Sequence, residues 1–236
     1  MIIAIDGPAG SGKSTVARRV ADELQLNVVD TGALYRAVAL AARRAGIAVD
    51  DGARLAALVA GLDLRLERRG GLERLLLAGE DVSEAIRSPE IGQAASAYSA
   101  RPEVRAGLLE LQRCLAHRPP GAVLEGRDIG TVVCPDADHK FFLLADPQER
   151  ARRRYAELLL RGSAPSYEEV LVATIARDRA DEERATAPLR QAADALAIDS
   201  TRLDVEGVVQ LIVTAVRRSD RLAPCGEQGT KGAKNL

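Results

Sequence analysis

The residues Gly7-Pro8-Ala9-Gly10-Ser11-Gly12-Lys13-Ser14 have the form G-x-x-x-x-G-K-[ST]. In such a loop the glycines let the backbone curl until its N–H groups converge on an anion. A helix starting at its end adds the positive pole of its dipole. Lys13 then reaches the β- and γ-phosphates of a nucleoside triphosphate, and the Ser14 hydroxyl is the candidate Mg²⁺ ligand. A chance match in a chain of this size arises on the order of 1% of the time. Gly7, Pro8, Ala9, Gly10, Ser11, Gly12, Lys13, Ser14 and Thr15 are therefore candidate ligands of the phosphates of ATP.

Three other groups carry fixed charge. Asp30-Thr31-Gly32-Ala33-Leu34-Tyr35-Arg36 puts Arg36 one helical turn beyond a short apolar run, where it can grip a phosphate. Glu125-Gly126-Arg127-Asp128 follows another such run and pairs a cation with an acceptor. Arg177, Asp181 and Arg184 stand at i, i+4 and i+7, on one face of a helix. Taken singly, each is as easily a solvated ion pair or a turn. Their coexistence with a phosphate-binding loop makes an acceptor site.

The elements that must bring these groups together are legible. Ile2–Asp6, Asn27–Asp30, Ala122–Glu125, Lys140–Leu144 and Leu196–Asp199 are short apolar runs, each followed by turn residues and a helix-like segment. Ser14–Leu24 and Ala33–Ala45 have helical spacing. Strands alternating with helices form a parallel α/β sheet with right-handed crossovers, whose strand ends share one edge. Between the second and third of these strands the rhythm changes. Leu62–Glu67 alternates apolar and charged residues as an antiparallel strand does, Arg69-Gly70-Gly71 is a turn, and 73–80 reads as the returning strand. Helical stretches about 88–97 and 102–117 follow, and Pro119-Pro120-Gly121 restores the sheet. The expected organisation is a core of residues 1–61 and 119–218, a small α+β insertion over 62–118, and a disordered Gly-rich tail over 219–236.

Composition removes several function classes. The 236 residues are 47% hydrophobic and 28% charged with a net charge of -1, which excludes blanket attraction to nucleic acid or an anionic membrane. With no Trp, two Phe and four Tyr, aromatic platforms for stacking nucleic-acid bases are scarce. Three cysteines without C-x-x-C spacing and two histidines make neither a zinc site nor a disulfide framework. Met1 leads straight into a strand rather than a signal peptide, and no uncharged run approaches membrane-span length, so a cytoplasmic location is expected. Only Lys13, Lys140, Lys231 and Lys234 are lysines, so 29 of the 33 basic residues are arginines. Most reflect composition; the question is which few are placed for chemistry.

The phosphate-binding loop, Asp30–Arg36, the stretch 125–137 and the stretch 177–189 together closely resemble the bacterial cytidylate kinase family, over residues 1 to about 218. The resemblance implies a P-loop NTPase-type three-layer α/β fold with a five-stranded parallel sheet and a nucleotide-binding insertion. It implies transfer of the γ-phosphate of ATP, with Mg²⁺, to CMP or dCMP. Arg36, Arg127 and Arg184 would then hold the acceptor phosphate, with Asp30 and Thr31 also among the CMP-binding residues. Ser96, Arg105 and Asp128 would read cytosine, and Arg177 and Asp181 the ribose. The arginine-rich run from Arg150 resembles the family's lid, about 150–170, with Arg153 and Arg154 as its candidate catalytic arginines. Cys134 stands where Phe is common, and the stretch beyond Arg218 has no counterpart in the pattern. Nothing forms a coiled coil or a long apolar face, so a monomer is expected.

Two other readings stay open. One is a kinase of another small acceptor, UMP, AMP or shikimate; the base-reading set argues against shikimate and the insertion against the short AMP-type acceptor region. The other is a nucleotide-binding module without turnover, against which Lys13, Ser14 and the full arginine set speak.

Overall fold

The computed structural model describes residues 1–69, 72–160, 162 and 165–222, with the side chains at 68, 69, 72, 73 and 220–222 left aside. Five strands form one all-parallel sheet: β1 (Ile2–Asp6), β2 (Asn27–Asp30), β6 (Ala122–Gly126), β7 (His139–Leu144) and β8 (Leu196–Asp199), in the order β2-β6-β1-β7-β8. β1 is central and wholly buried, as an apolar run covered on both faces must be. Its register sets Asp6 beside Gly126 and Phe142. Every strand therefore ends at the same edge, and the charged groups following β2, β6 and β7 meet the phosphate-binding loop there.

Helices cover both faces. On one, α1 (Lys13–Leu24) and α8 (Val205–Leu222) bury Val16, Val20, Val209, Ile212 and Val213 against Ile3, Ile5 and Phe141. On the other lie α2 (Thr31–Arg44), α3 (Gly52–Ala60), α4 (Pro89–Ser99) and α5 (Pro102–Ala116). α6 (Pro147–Leu160) packs on α7 (Tyr167–Glu183), whose start is fixed by a reciprocal cap between Ser166 and Glu169. Three layers result.

The region 62–118 supplies a small antiparallel sheet, β3 (Leu64–Arg69), β4 (Leu72–Leu77) and β5 (Glu80–Asp81), together with α4 and α5. Its apolar residues Leu64, Leu75, Leu77, Val82 and Tyr98 join Val29, Leu34 and Leu124 in one continuous cluster. The inserted segment closes over α2 rather than around a core of its own. The expected single returning strand over 73–80 is two: β4 stops at Leu77, Ala78 and Gly79 turn with positive φ, and β5 pairs back. The α3 helix, capped by Asp51, was not anticipated. The turn at Gly70-Gly71 lies outside the described residues.

At the other end, residues 219–222 continue α8 past the expected boundary; of the expected tail, 223–236 lie outside the described residues. Among the described residues no helix is long and apolar enough to cross a membrane.

Candidate active site

The phosphate-binding loop forms between β1 and α1 with positive φ at Gly7, Gly10 and Gly12. Gly7 is required: a Cβ there would lie 2.2 Å from the Leu143 carbonyl oxygen. Lys13 is buried and donates from Nζ to the Pro8 carbonyl at 2.6 Å. Burial, reinforced by the Arg127 guanidinium, pushes its ammonium down to about 7, while Glu125 and Asp6 oppose the shift. A desolvated lysine beside other cations is short of negative charge, and a triphosphate supplies it. Ser11 donates to the same Pro8 carbonyl at 3.0 Å, and Ser14 and Thr15 stay exposed at the start of α1.

Two carboxylates sit directly behind the loop. Asp6 accepts from the Ile129 and Gly130 N–H groups at 2.9 and 2.8 Å, and burial raises its carboxyl to about 6. Glu125 is raised by burial and by the Asp30 charge, while the neighbouring Lys13 and Ser14 oppose the shift. Among the described residues no cluster of three His, Cys, Asp or Glu could hold a metal. The hard oxygens of Ser14 and Glu125 suit instead a Mg²⁺ ion shared with phosphate, which takes only one or two protein ligands.

The acceptor groups assemble across the sheet edge. α2 starts without a loop because the Asp30 side chain caps it, accepting from Ala33 N–H at 2.8 Å. That cap also pairs with Arg36 at 2.8 Å. Thr31 donates to the Glu125 carbonyl at 2.7 Å, locking β2 to β6. Arg127 donates from Nε to Asp181 at 2.8 Å. Burial raises the Asp181 carboxyl, but the Arg127 charge and hydrogen bond outweigh it and leave it below the usual carboxylate range. Arg177 is lowered to about 10 by burial and by Arg127. The Nε atoms of both Arg36 and Arg177 are buried with no hydrogen-bond partner, so the cleft holds unused cationic donors.

A third group is drier. Asp128 is 4% exposed and is held by Arg105 from α5 and by Arg184 at 3.3 Å. Arg105 also donates to the Ser99 carbonyl at 3.1 Å and lies 5.2 Å over the Tyr35 ring. Burial and the neighbouring Arg105 lower the Arg184 guanidinium. Ser96 is half-buried on α4, one turn before Ser99.

Two expectations change. Arg184 does not share a helix face with Arg177 and Asp181: α7 ends at Glu183, and Arg184 is extended and bonded to the Ala187 carbonyl at 2.6 Å. Pro188 disfavours the helical conformation in the residue before it, and Ala187 takes a positive φ instead. The bend still delivers Arg184 to Asp128.

The lid arginines also divide. Arg150 is buried within the site, Arg153 binds the Ser200 carbonyl at 2.7 Å and Glu149, and Arg154 pairs with Glu157 while near enough to Arg177 to repel it. Residues 161, 163 and 164 of the expected lid lie outside the described residues. A cavity of about 700 Å³ opens past the β7 and β8 ends, lined by Leu144–Asp146, Asp199 and Thr201–Leu203.

Asp6, Glu125, Tyr35, Arg150 and this cavity were not singled out from the sequence. For Asp6 and Glu125 the signal was available: a carboxylate closes or nearly closes each of two fully apolar buried strands.

A model of the cytidylate kinase family matches residues 3–218. The cytidylate kinase of Geobacter sp. strain M21 is 52% identical over 232 residues, covering 98% of this chain and 97% of the relative. That of Geobacter sulfurreducens is 52% identical over 224 residues, covering 95% and 96%. The family model stops at residue 218, as the resemblance implies, while the 232-residue alignment carries part of the stretch beyond Arg218 into this relative. A solved structure of an uncharacterized protein from Eubacterium ventriosum shares the fold, with a TM-score of 0.51 at 14% identity over 92% of this chain and 98% of that one.

Proposed function

The chain belongs to the cytidylate kinase family, and from that membership we infer the reaction of its cleft: transfer of the γ-phosphate of ATP to CMP or dCMP, giving ADP and CDP or dCDP. The observation that carries the substrate class is the buried trio Asp128, Arg105 and Arg184 beside the phosphate-binding loop. A carboxylate accepts from the exocyclic amino group of cytosine, and a guanidinium donates to its ring acceptors. Uracil has a carbonyl oxygen where cytosine has the amine, so a carboxylate would face an acceptor, a mismatch worth about 1–3 kcal/mol.

The residue roles we propose are those that membership of the family implies at these positions. Lys13 and the loop N–H groups from Gly7 to Thr15 hold the donor phosphates, and the donor nucleoside extends into the cavity past β7 and β8. Arg36, Arg127 and Arg184 hold the acceptor phosphate, with Asp30 and Thr31 fixing Arg36 and the strand edge. Ser96, Arg105 and Asp128 read the base; Arg177 and Asp181 take the ribose. Arg153 and Arg154 cover the donor from the lid. Ser14, backed by Glu125, would hold Mg²⁺, which would supply charge neutralisation to the donor phosphates.

The acceptor oxygen is already anionic, so the reaction needs no general base. Catalysis reduces to in-line alignment and to neutralising crowded negative charge with Lys13 and the arginines. Excluding water prevents futile hydrolysis of ATP. We take it to act as a monomer in the cytoplasm on free nucleotides, with no nucleic-acid or membrane partner. Incubation with ATP, Mg²⁺ and CMP should yield CDP and ADP in equal amounts. ADP formation independent of CMP would overturn the assignment.

A further inference from the structure

Arg150 begins the arginine-rich run of α6, yet its side chain is 4% exposed and points into the molecule. Its guanidinium binds three elements at once. Nε donates to the Ala145 carbonyl at 2.8 Å, in the turn before α6. Nη1 donates to the Ala9 carbonyl of the phosphate-binding loop at 3.0 Å and forms an ion pair with Asp178 Oδ2 of α7 at 2.7 Å. The other oxygen of Asp178 is buried with no hydrogen-bond partner.

Packing tightens the link. A Cβ on Gly10 would lie 3.2 Å from both the Arg150 Cβ and its carbonyl oxygen, so loop and helix are in contact with no slack. A buried ion pair is a weak source of stability compared with an apolar filling of the same space. What it does well is fix geometry, and here it joins the donor loop to the helix that carries Arg177 and Asp181. A shift of Ala9-Gly10 presses on Arg150, and Arg150 is bonded to the residue next to Arg177.

We propose that Arg150 is a positioning residue that couples the two nucleotide sites: occupation of the phosphate-binding loop sets the pose of α7, and α7 in turn sets the loop. The inference rests on the kinase reading above. Coupling between two binding sites is reciprocal, and commonly changes affinity about 5- to 150-fold.

The test is calorimetric titration of CMP into the full chain, with and without Mg²⁺ and a non-hydrolysable ATP analogue, for wild type, Arg150→Lys, Asp178→Asn and the double variant. The wild type should bind CMP several-fold more tightly when the analogue is present. Each single variant should bring that ratio to within about twofold of one, and the double variant should lose no more than the worse single, because both residues serve one link. Thermal melts establish that the variants are folded, and the near-isosteric Asp178→Asn serves if Arg150→Lys does not fold. A folded variant that keeps the wild-type ratio overturns the proposal, as do losses that multiply in the double variant or a wild-type ratio of one. Failure of the wild type to bind CMP at all would overturn the kinase reading as well; binding without coupling overturns this inference alone.

Discussion

Replacing Asp128 by Asn removes one negative charge while keeping its shape. In the structure this carboxylate is 4% exposed and accepts from two buried arginines, Arg105 and Arg184. Two consequences follow, at different magnitudes. The first is stability: breaking a buried pair by deleting one partner costs about 3–5 kcal/mol, which is the expectation for Asp128→Ala. Asn retains one acceptor and should cost less. The second is specificity. If Asp128 accepts from the cytosine amine, its loss removes the 1–3 kcal/mol mismatch that penalises uracil. At about 1.4 kcal/mol per tenfold, the CMP-to-UMP ratio of kcat/KM should fall by about 5- to 150-fold. The Asn amide can also donate to the uracil carbonyl, so the ratio should fall through UMP gain as well as CMP loss. Coupled ADP-release kinetics at saturating ATP measure both substrates, and circular dichroism confirms the fold. A folded Asp128→Asn that keeps the wild-type ratio would refute the base-reading role.

Three other perturbations test separate parts of the cleft. Lys13→Met should lower turnover at least about 100-fold with every acceptor, as loss of one transition-state donor does. Because the Lys13 ammonium sits at about 7, below the range of an exposed lysine, the native state holds fewer protons than the unfolded one above that pH. Wild-type stability should therefore gain from pH 7 to 9 relative to Lys13→Met. Asp6 is shifted the other way, to about 6 from 3.8, so its native form holds the extra proton between those values. Its contribution to stability should fall by up to about 3 kcal/mol as pH rises from 4 to 6. Urea unfolding of wild type minus Asp6→Asn should show that slope, and a slope of opposite sign would contradict dominance by burial. Gly7→Ala places a methyl 2.2 Å from the Leu143 carbonyl at a φ of +148° and should cost about 3 kcal/mol or more, read as a melting temperature lower by on the order of 10 °C.

The core was legible because buried parallel strands are apolar runs: β1 and β6 are buried throughout, and β2, β7 and β8 each carry a short apolar run between turn signals. Their shared edge, and hence the meeting of Lys13, Arg36, Arg127 and Asp181, follows from the alternation of strands and helices alone. Four features were not legible. The α3 helix is short and carries only Leu55 and Val59 as buried anchors, too few for a periodic signal. The division of β4 from β5 depends on Ala78 taking a left-handed conformation, which its side chain does not announce. Arg184 has helical spacing from Arg177 but leaves the helix because of a proline four residues on. The base-reading trio is the least visible part: Arg105 lies 23 residues before Asp128, and only packing of α5 on β6 joins them. There the family resemblance supplied what periodicity could not. Among 29 arginines, Arg105, Arg150 and Arg184 stand apart by their nearly buried side chains, whereas Arg19, Arg65 and Arg179 are open to solvent.

The central claim is that this cleft phosphorylates cytidine monophosphates. Its most direct test is kcat/KM for CMP, dCMP, UMP and AMP with ATP and Mg²⁺, measured side by side by ADP release. CMP and dCMP should lead UMP by at least the fivefold that 1 kcal/mol of base mismatch implies, with AMP slower still. Equal or faster turnover of UMP or AMP, or none with CMP and dCMP, would contradict it.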